Sequence, residues 1–317
     1  MLATTTFADL PLHLLFPLAS SLLYVAAALS LRRAAEARAG VWRSTFVMNV
    51  IAAAAFLPLL AGPSGPGPTP AWQAAAIAAL FVGGQTLTML ALHRGDVSVA
   101  TPVMGTKVVF VALFVTLLVG DALPVDYWVS AAMSAAGIAL LNVGGGGGSA
   151  TSDPSIQIRH RHAGLTVAAS LAAAACYALF DVLVRKWSPA WGVGRLLPAV
   201  MALAAAMSLA LRPAFEGPLG ALPRTARGPL LLGSIFLGVQ AVLLVRTLGL
   251  YPDTTRINIV YNCRGLWSVL AVWVVGHWWG NTERHAGHAA FRWRIAGAAL
   301  LLGAIVVAVT LPITGGL

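Results

Sequence analysis

Pro11-Leu-His-Leu-Leu-Phe-Pro-Leu-Ala-Ser-Ser-Leu-Leu-Tyr-Val-Ala-Ala-Ala-Leu-Ser-Leu31 contains no Asp, Glu, Lys or Arg and ends against Arg32-Arg33. About 20 apolar residues in helical form cross the hydrocarbon core of a bilayer. Nine further runs resemble this one: Arg43–Ala61, Ala71–Leu92, Val97–Val119, Pro124–Val143, Gly164–Val184, Gly192–Leu211, Gly228–Leu250, Thr254–Gly276 and Arg294–Leu311. Lipid offers no partner to a backbone N–H or C=O, so each run is expected to be helical. Period-two alternation is absent, which argues against a barrel. The fold class read from the sequence is therefore an all-α integral membrane protein with ten transmembrane helices.

Composition agrees. The chain is 59% hydrophobic and 9% charged, with mean hydropathy +0.83, against about 25% charged residues in a soluble domain. The net charge of +10 comes mostly from Arg in short loops between runs. That pattern suits anionic lipid headgroups. No basic stretch interleaved with aromatics indicates a nucleic-acid partner. Cys176 and Cys263 lie inside apolar runs, so no disulfide framework is expected. Met1 to Leu10 lacks a basic n-region, and the first run lacks a small-residue cleavage site, so it is expected to stay as a helix. No cofactor or metal is expected. Gly144–Gly148 lacks the Lys-Ser/Thr of a phosphate loop. His160, His162, His285 and His288 lie in loops without Cys or carboxylate partners at ligand spacing. Trp278 and Trp279 read as an interfacial belt.

The two halves echo each other. Tyr24 precedes Arg32-Arg33 at the same spacing as Tyr177 precedes Arg185-Lys186. Gly40-Val-Trp-Arg43 parallels Gly192-Val-Gly-Arg195, and Phe81-Val-Gly-Gly-Gln85 parallels Phe236-Leu-Gly-Val-Gln240. Asp96 with Lys107 parallels Asp253 with Arg264, again at equal spacing. The matches keep their order, dividing the chain into residues 1–147, a linker at 148–163 and residues 164–317. Five helices is an odd number, so the halves would enter the membrane with opposite polarity. That is the inverted repeat on which secondary transporters build alternating access. Positive charge in the loops joining helices 1–2, 3–4, 5–6, 7–8 and 9–10 puts both termini outside. Arg185, Lys186, Arg195 and Arg256 are assigned to the opposite side.

Three basic residues fall within runs away from their first few positions: Lys107, Arg246 and Arg264. Asp181 is the main intramembrane acid. Mid-membrane charge is expensive and marks substrate or ion sites by default. Lys107 and Arg264 hold equivalent repeat positions near mid-helix, so a two-fold axis would turn both toward one cavity suited to an anionic or zwitterionic ligand. Asp181 is either a proton relay or a static counter-ion. On the ninth run Thr254, Asn258, Tyr261, Asn262, Arg264, Gly265 and Ser268 share an arc at 100° per residue. Thr166, Ser170, Tyr177 and Asp181 share a face on the sixth. Gln85 and Gln240 are matched amides, and Tyr24 and Tyr177 matched aromatics. Each could line a cavity, or bond one helix to another. The candidate substrate contacts are Lys107, Arg264, Gln85, Gln240, Asn262, Asn258, Tyr261, Tyr24 and Tyr177.

Ala91-Leu92 through Ser98, Ala100 and Pro102, then Gly120-Asp121 and Gly137, resembles the EamA-like members of the drug/metabolite transporter superfamily. The resemblance extends through the five-plus-five plan. It departs at Asp121, where Glu is usual. It departs again at Ile259 in place of a Pro, and at Gly276-His277 in place of a Gly-acid turn. The resemblance implies a carrier that moves a small metabolite through a central cavity without ATP hydrolysis, and implies cytoplasmic termini, opposite to the charge count. The membrane is expected to be the cytoplasmic (inner) membrane of a bacterium. Partners are then a small-molecule substrate and the lipid bilayer, with oligomeric state open.

Two other classes compete. An intramembrane enzyme acting on a lipid-linked substrate would need clustered carboxylates for Mg²⁺, whereas Asp96, Asp121, Asp126 and Asp253 are scattered at helix ends. A non-transporting scaffold would have no use for an inverted repeat.

Overall fold

A computed structural model describes residues 11–66, 70–94, 97–142, 163–275 and 288–310. Among these, every regular element is helical. The helices are α1 (Leu15–Glu36), α2 (Val41–Phe56), α3 (Ala71–Arg94), α4 (Val97–Met104), α5 (Lys107–Phe114), α6 (Val125–Asn142), α7 (Ala163–Trp191), α8 (Val193–Met207), α9 (Arg224–Leu250), α10 (Thr254–Tyr261), α11 (Arg264–Val275) and α12 (His288–Thr310). Eight helical segments among the described residues are long and apolar enough to cross a membrane, and Val125–Leu141 is a shorter apolar helix.

Two runs expected as single helices are interrupted. Between α4 and α5 the amides of Gly105 and Thr106 bond three residues back, to Pro102 and Val103. The Thr106 hydroxyl competes for the Val103 carbonyl at 2.6 Å. Between α10 and α11, Cys263 N–H likewise bonds Val260, while Asn262 N–H is shared between Asn258 and Ile259. Such tightening marks a break in the regular ladder. The sixth run is longer than expected. α7 continues to Trp191, so Arg185 and Lys186 sit in helix rather than loop, and the Lys186 ammonium bonds the Leu118 carbonyl at 2.8 Å. Arg256 was expected in a loop and is instead buried on α10. The linker, Asp96, His160, His162, His285, Trp278 and Trp279 lie outside the described residues.

The halves interlock. α1 packs on α9, α3 on α7, α2 on α8, α6 on α12, and α5 on α10. The main core runs through Phe56, Ile77, Phe180, Leu196, Met201, Leu248 and Tyr261. At the α6–α12 crossing, a Cβ on Gly137 would stand 2.9 Å from the Gly297 carbonyl, and one on Gly297 2.7 Å from the Gly137 carbonyl. Small residues let helices approach this closely in lipid, where dispersion replaces the hydrophobic effect as the driving force. Ser130 spans the same interface, donating to the Ala304 carbonyl at 2.6 Å. Gly40 and Gly192 precede α2 and α8 with nearly the same backbone, φ 77° and ψ 139° against φ 74° and ψ 139°. Positive φ is open to glycine without steric cost.

Candidate functional site

Lys107 opens α5 and Arg264 opens α11, each directly after an interruption. Both cations face the ring of Tyr261. The Lys107 ammonium lies 6.0 Å and the Arg264 guanidinium carbon 4.7 Å from its centroid. Arg264 also lies 5.0 Å from the centroid of Tyr24, whose ring meets Tyr261 edge to face at 6.2 Å. A guanidinium so placed is held by the electron-rich ring faces.

The cations differ in partnership. Lys107 Nζ is 2.6 Å from Asp181 Oδ2, and both side chains are largely buried. No carboxylate among the described residues pairs with Arg264 at salt-bridge distance. The cluster therefore carries about one net positive charge: Lys107 offsets Asp181, and Arg264 remains. Tyr177, one helical turn before Asp181 on α7, lies against Gly84, where an added Cβ would be 3.0 Å from its ring. Beside it a Cβ on Gly83 would meet nothing within 4 Å, so α3 borders open space there. The structure thus brings Lys107, Arg264, Tyr24, Tyr177, Tyr261 and Asp181 together.

The four amides are committed elsewhere. Gln85 and Asn49 exchange two hydrogen bonds of 2.9 Å, joining α3 to α2. Gln240 donates to Ser20 Oγ at 2.9 Å, and Ser20 Oγ donates to the Gln240 carbonyl at 3.0 Å, joining α9 to α1. Asn262 donates to Ser134 Oγ at 2.8 Å, and Asn258 to the Thr254 carbonyl at 3.1 Å. Each satisfies a polar group that lipid could not. Arg246 is exposed on the outer surface of α9, close to its end.

Residues 12–143 match the EamA-like transporter family. A solved structure described only as a protein crystal structure resembles the whole, with 18% identity over 93% of this chain and 96% of that one and a TM-score of 0.67. At that identity the likeness speaks for the fold. No curated protein matches the chain. With the helices among the described residues that are long and apolar enough to cross a membrane, the family match supports an integral multi-pass membrane protein.

Sequence reasoning missed a second polar cluster. His13 Nε2 lies 2.8 Å from Asp253 Oδ2, and Arg256 reaches both that carboxylate and the Tyr127 hydroxyl. The available signal was a single His in the first apolar run, where it is the most polar residue.

Proposed function

We propose that the chain is a secondary carrier that moves a small anionic or zwitterionic metabolite by alternating access. The observation that carries this reading is the pair of matched cations, each at the start of a half-helix after an interruption, facing one tyrosine ring. Discontinuous helices whose N-terminal ends point at anionic groups are a recurrent device of membrane carriers, because the helix dipole and the free N–H groups both favour negative charge. Lys107, Arg264, Tyr24, Tyr177 and Tyr261 contact the substrate, with Asp181 the static counter-ion of Lys107. Gln85, Gln240, Asn258 and Asn262 hold the helices around the site.

Ten spans in two inverted repeats of five supply the movement. Support comes from the packing: exchanging the halves turns the α1–α9 contact into α7–α3 and returns α2–α8 and α6–α12 to themselves. The matched Gly40 and Gly192 backbones agree. The protein sits in the cytoplasmic membrane of a bacterium.

The test is thermal unfolding of purified protein with anionic, zwitterionic and cationic metabolites, followed by uptake into proteoliposomes of whichever compound stabilises. Saturable stabilisation by one anion class, about 2.7 kcal/mol at a hundredfold excess over Kd, with saturable flux, is expected. Both should disappear in Arg264→Gln and Lys107→Gln. Turnover of a labelled lipid without net flux would instead establish an enzyme, and unchanged saturable uptake in both variants would overturn the anion site.

A further inference from the structure

We propose that Arg185 and Ser188 form a second anion site, which takes a carboxylate or phosphate between the end of α7 and Arg264. At 100° per residue Tyr177, Asp181, Arg185 and Ser188 fall within an arc of about 80° on α7. The exposed Leu165, Ala172 and Ala190 lie on the opposite side. The arc therefore faces protein and not lipid. Tyr177 and Asp181 on it belong to the site already described. Arg185 stands one turn beyond Asp181, about 6 Å further along the helix, and α7 ends at Trp191. An anion travelling from that end toward Arg264 meets Arg185 first.

Arg185 is singled out by its partners. Neighbouring cations are held: Lys107 pairs with Asp181 at 2.6 Å, and Lys186 donates to the Leu118 carbonyl at 2.8 Å. Arg185 is half-buried, and its Nε is fully so. It forms no hydrogen bond or ion pair among the described residues. The acid one turn before it is already spent on Lys107.

Ser188, three residues on, is in the same condition. It is 2% exposed, and its Oγ has no hydrogen-bond partner among the described residues. Thr86, Thr88, Ser234 and Thr247 each donate to the carbonyl four residues back, whereas Ser188 does not. α9 borders the hydroxyl at Gly249, where an added Cβ would stand 2.8 Å from Oγ. Residues three apart on a helix are neighbours, with Cβ atoms about 5–6 Å apart. Two unspent donors are thus set side by side. Burying a donor without a partner is costly, and a guanidinium beside a hydroxyl matches the oxygens of a carboxylate or phosphate. As a step in transport the site rests on the carrier reading; as a binding site it does not.

Arginine side-chain NMR of the full chain in maltoside micelles, which carry no phosphate, tests it. The Arg185 Nε–H signal is identified by its loss in Arg185→Lys. Titration with inorganic phosphate, against chloride at constant ionic strength, is expected to shift that signal saturably. Arg264→Gln should leave the shift in place, and Ser188→Ala should weaken the affinity roughly fivefold, the worth of one hydrogen bond. No saturable shift, or a shift lost in Arg264→Gln, overturns the second site. A shift produced by added phosphatidylglycerol that phosphate does not displace makes a lipid headgroup the occupant and also overturns it. A saturable phosphate shift in a protein that shows no flux into proteoliposomes upholds the site and removes the carrier reading alone.

Discussion

Lys107 and Asp181 are a buried ion pair, and such pairs respond asymmetrically to substitution. Removing one partner leaves an uncompensated charge, which costs about 3–5 kcal/mol, whereas removing both is close to neutral. Asp181→Asn is therefore expected to lower the thermal midpoint markedly, and Lys107→Gln with Asp181→Asn to recover most of the loss. Differential scanning fluorimetry of the three variants checks this. Arg264 depends on rings instead of a carboxylate, so Tyr24→Leu and Tyr261→Leu each remove one face of its support. Each is expected to weaken binding of a stabilising anion several-fold while the protein stays folded, which titration calorimetry reads. Lys107, Arg264 and Asp181 were legible in the sequence because a charge inside an apolar run stands out. The roles of Gln85 and Gln240 were not, because Asn49 and Ser20, which bond them, lie on other helices and carry no mark of their own.

At the next scale, α2 and α8 start alike but are fastened differently. The Glu216 carboxylate accepts from the amides of Val41 at 2.7 Å and Trp42 at 3.3 Å. Burial opposes ionisation of Glu216, but the backbone N–H groups around it outweigh that and hold its carboxyl below the usual carboxylate range. A depressed folded-state value means this fastening is present above the ordinary Glu range and is lost as pH falls through the folded value. Glu216→Gln should thus lower the melting temperature at pH 7, and the gap from wild type should close below about pH 4. At the other start, a Cβ on Gly192 meets backbone atoms of Gly65, Pro63 and Ser64, whereas one on Gly40 meets mainly the Glu216 side chain. Both positions have positive φ. Gly192→Ala is therefore expected to cost more than Gly40→Ala, which itself costs about 1–3 kcal/mol for strain, as equilibrium unfolding would report. The paired Gly-Val steps were visible as a repeat, but the helix interruptions were not. Hydrophobicity fixes where a run begins and ends, and the same apolar residues serve three- and four-residue hydrogen bonding alike.

Across the whole molecule, the strongest packing joins elements of opposite halves. Neither residues 1–147 nor 164–317 should give a monodisperse protein alone, while co-expression of both should, as size-exclusion chromatography would show. The odd number of proposed spans gives a second expectation. With Cys176 and Cys263 replaced, a cysteine at Ser155 and one at Thr314 should react with an impermeant maleimide from opposite sides of the membrane. Labelling from one side would remove the inverted arrangement and leave the helical packing intact. Overall helicity and most boundaries were legible in length and hydropathy, since lipid admits few alternatives. The pairing of halves was implied only by the repeat, because helix partners depend on side-chain fit that no single run displays.

The interruption before Arg264 has a bearing on how the chain is made. α10 carries Arg256 and Asn258 and is buried on every side by protein, so it is a poor guest for lipid. A segment of that kind depends on companions already embedded when it leaves the ribosome. α1, α6 and α9 precede it in synthesis, and each is in contact with it in the finished protein. Among the described helices packed there, α12 arrives later. The order of the chain thus doubles as an order of assembly, in which the most polar span is threaded into a socket prepared in advance and sealed by the last helix.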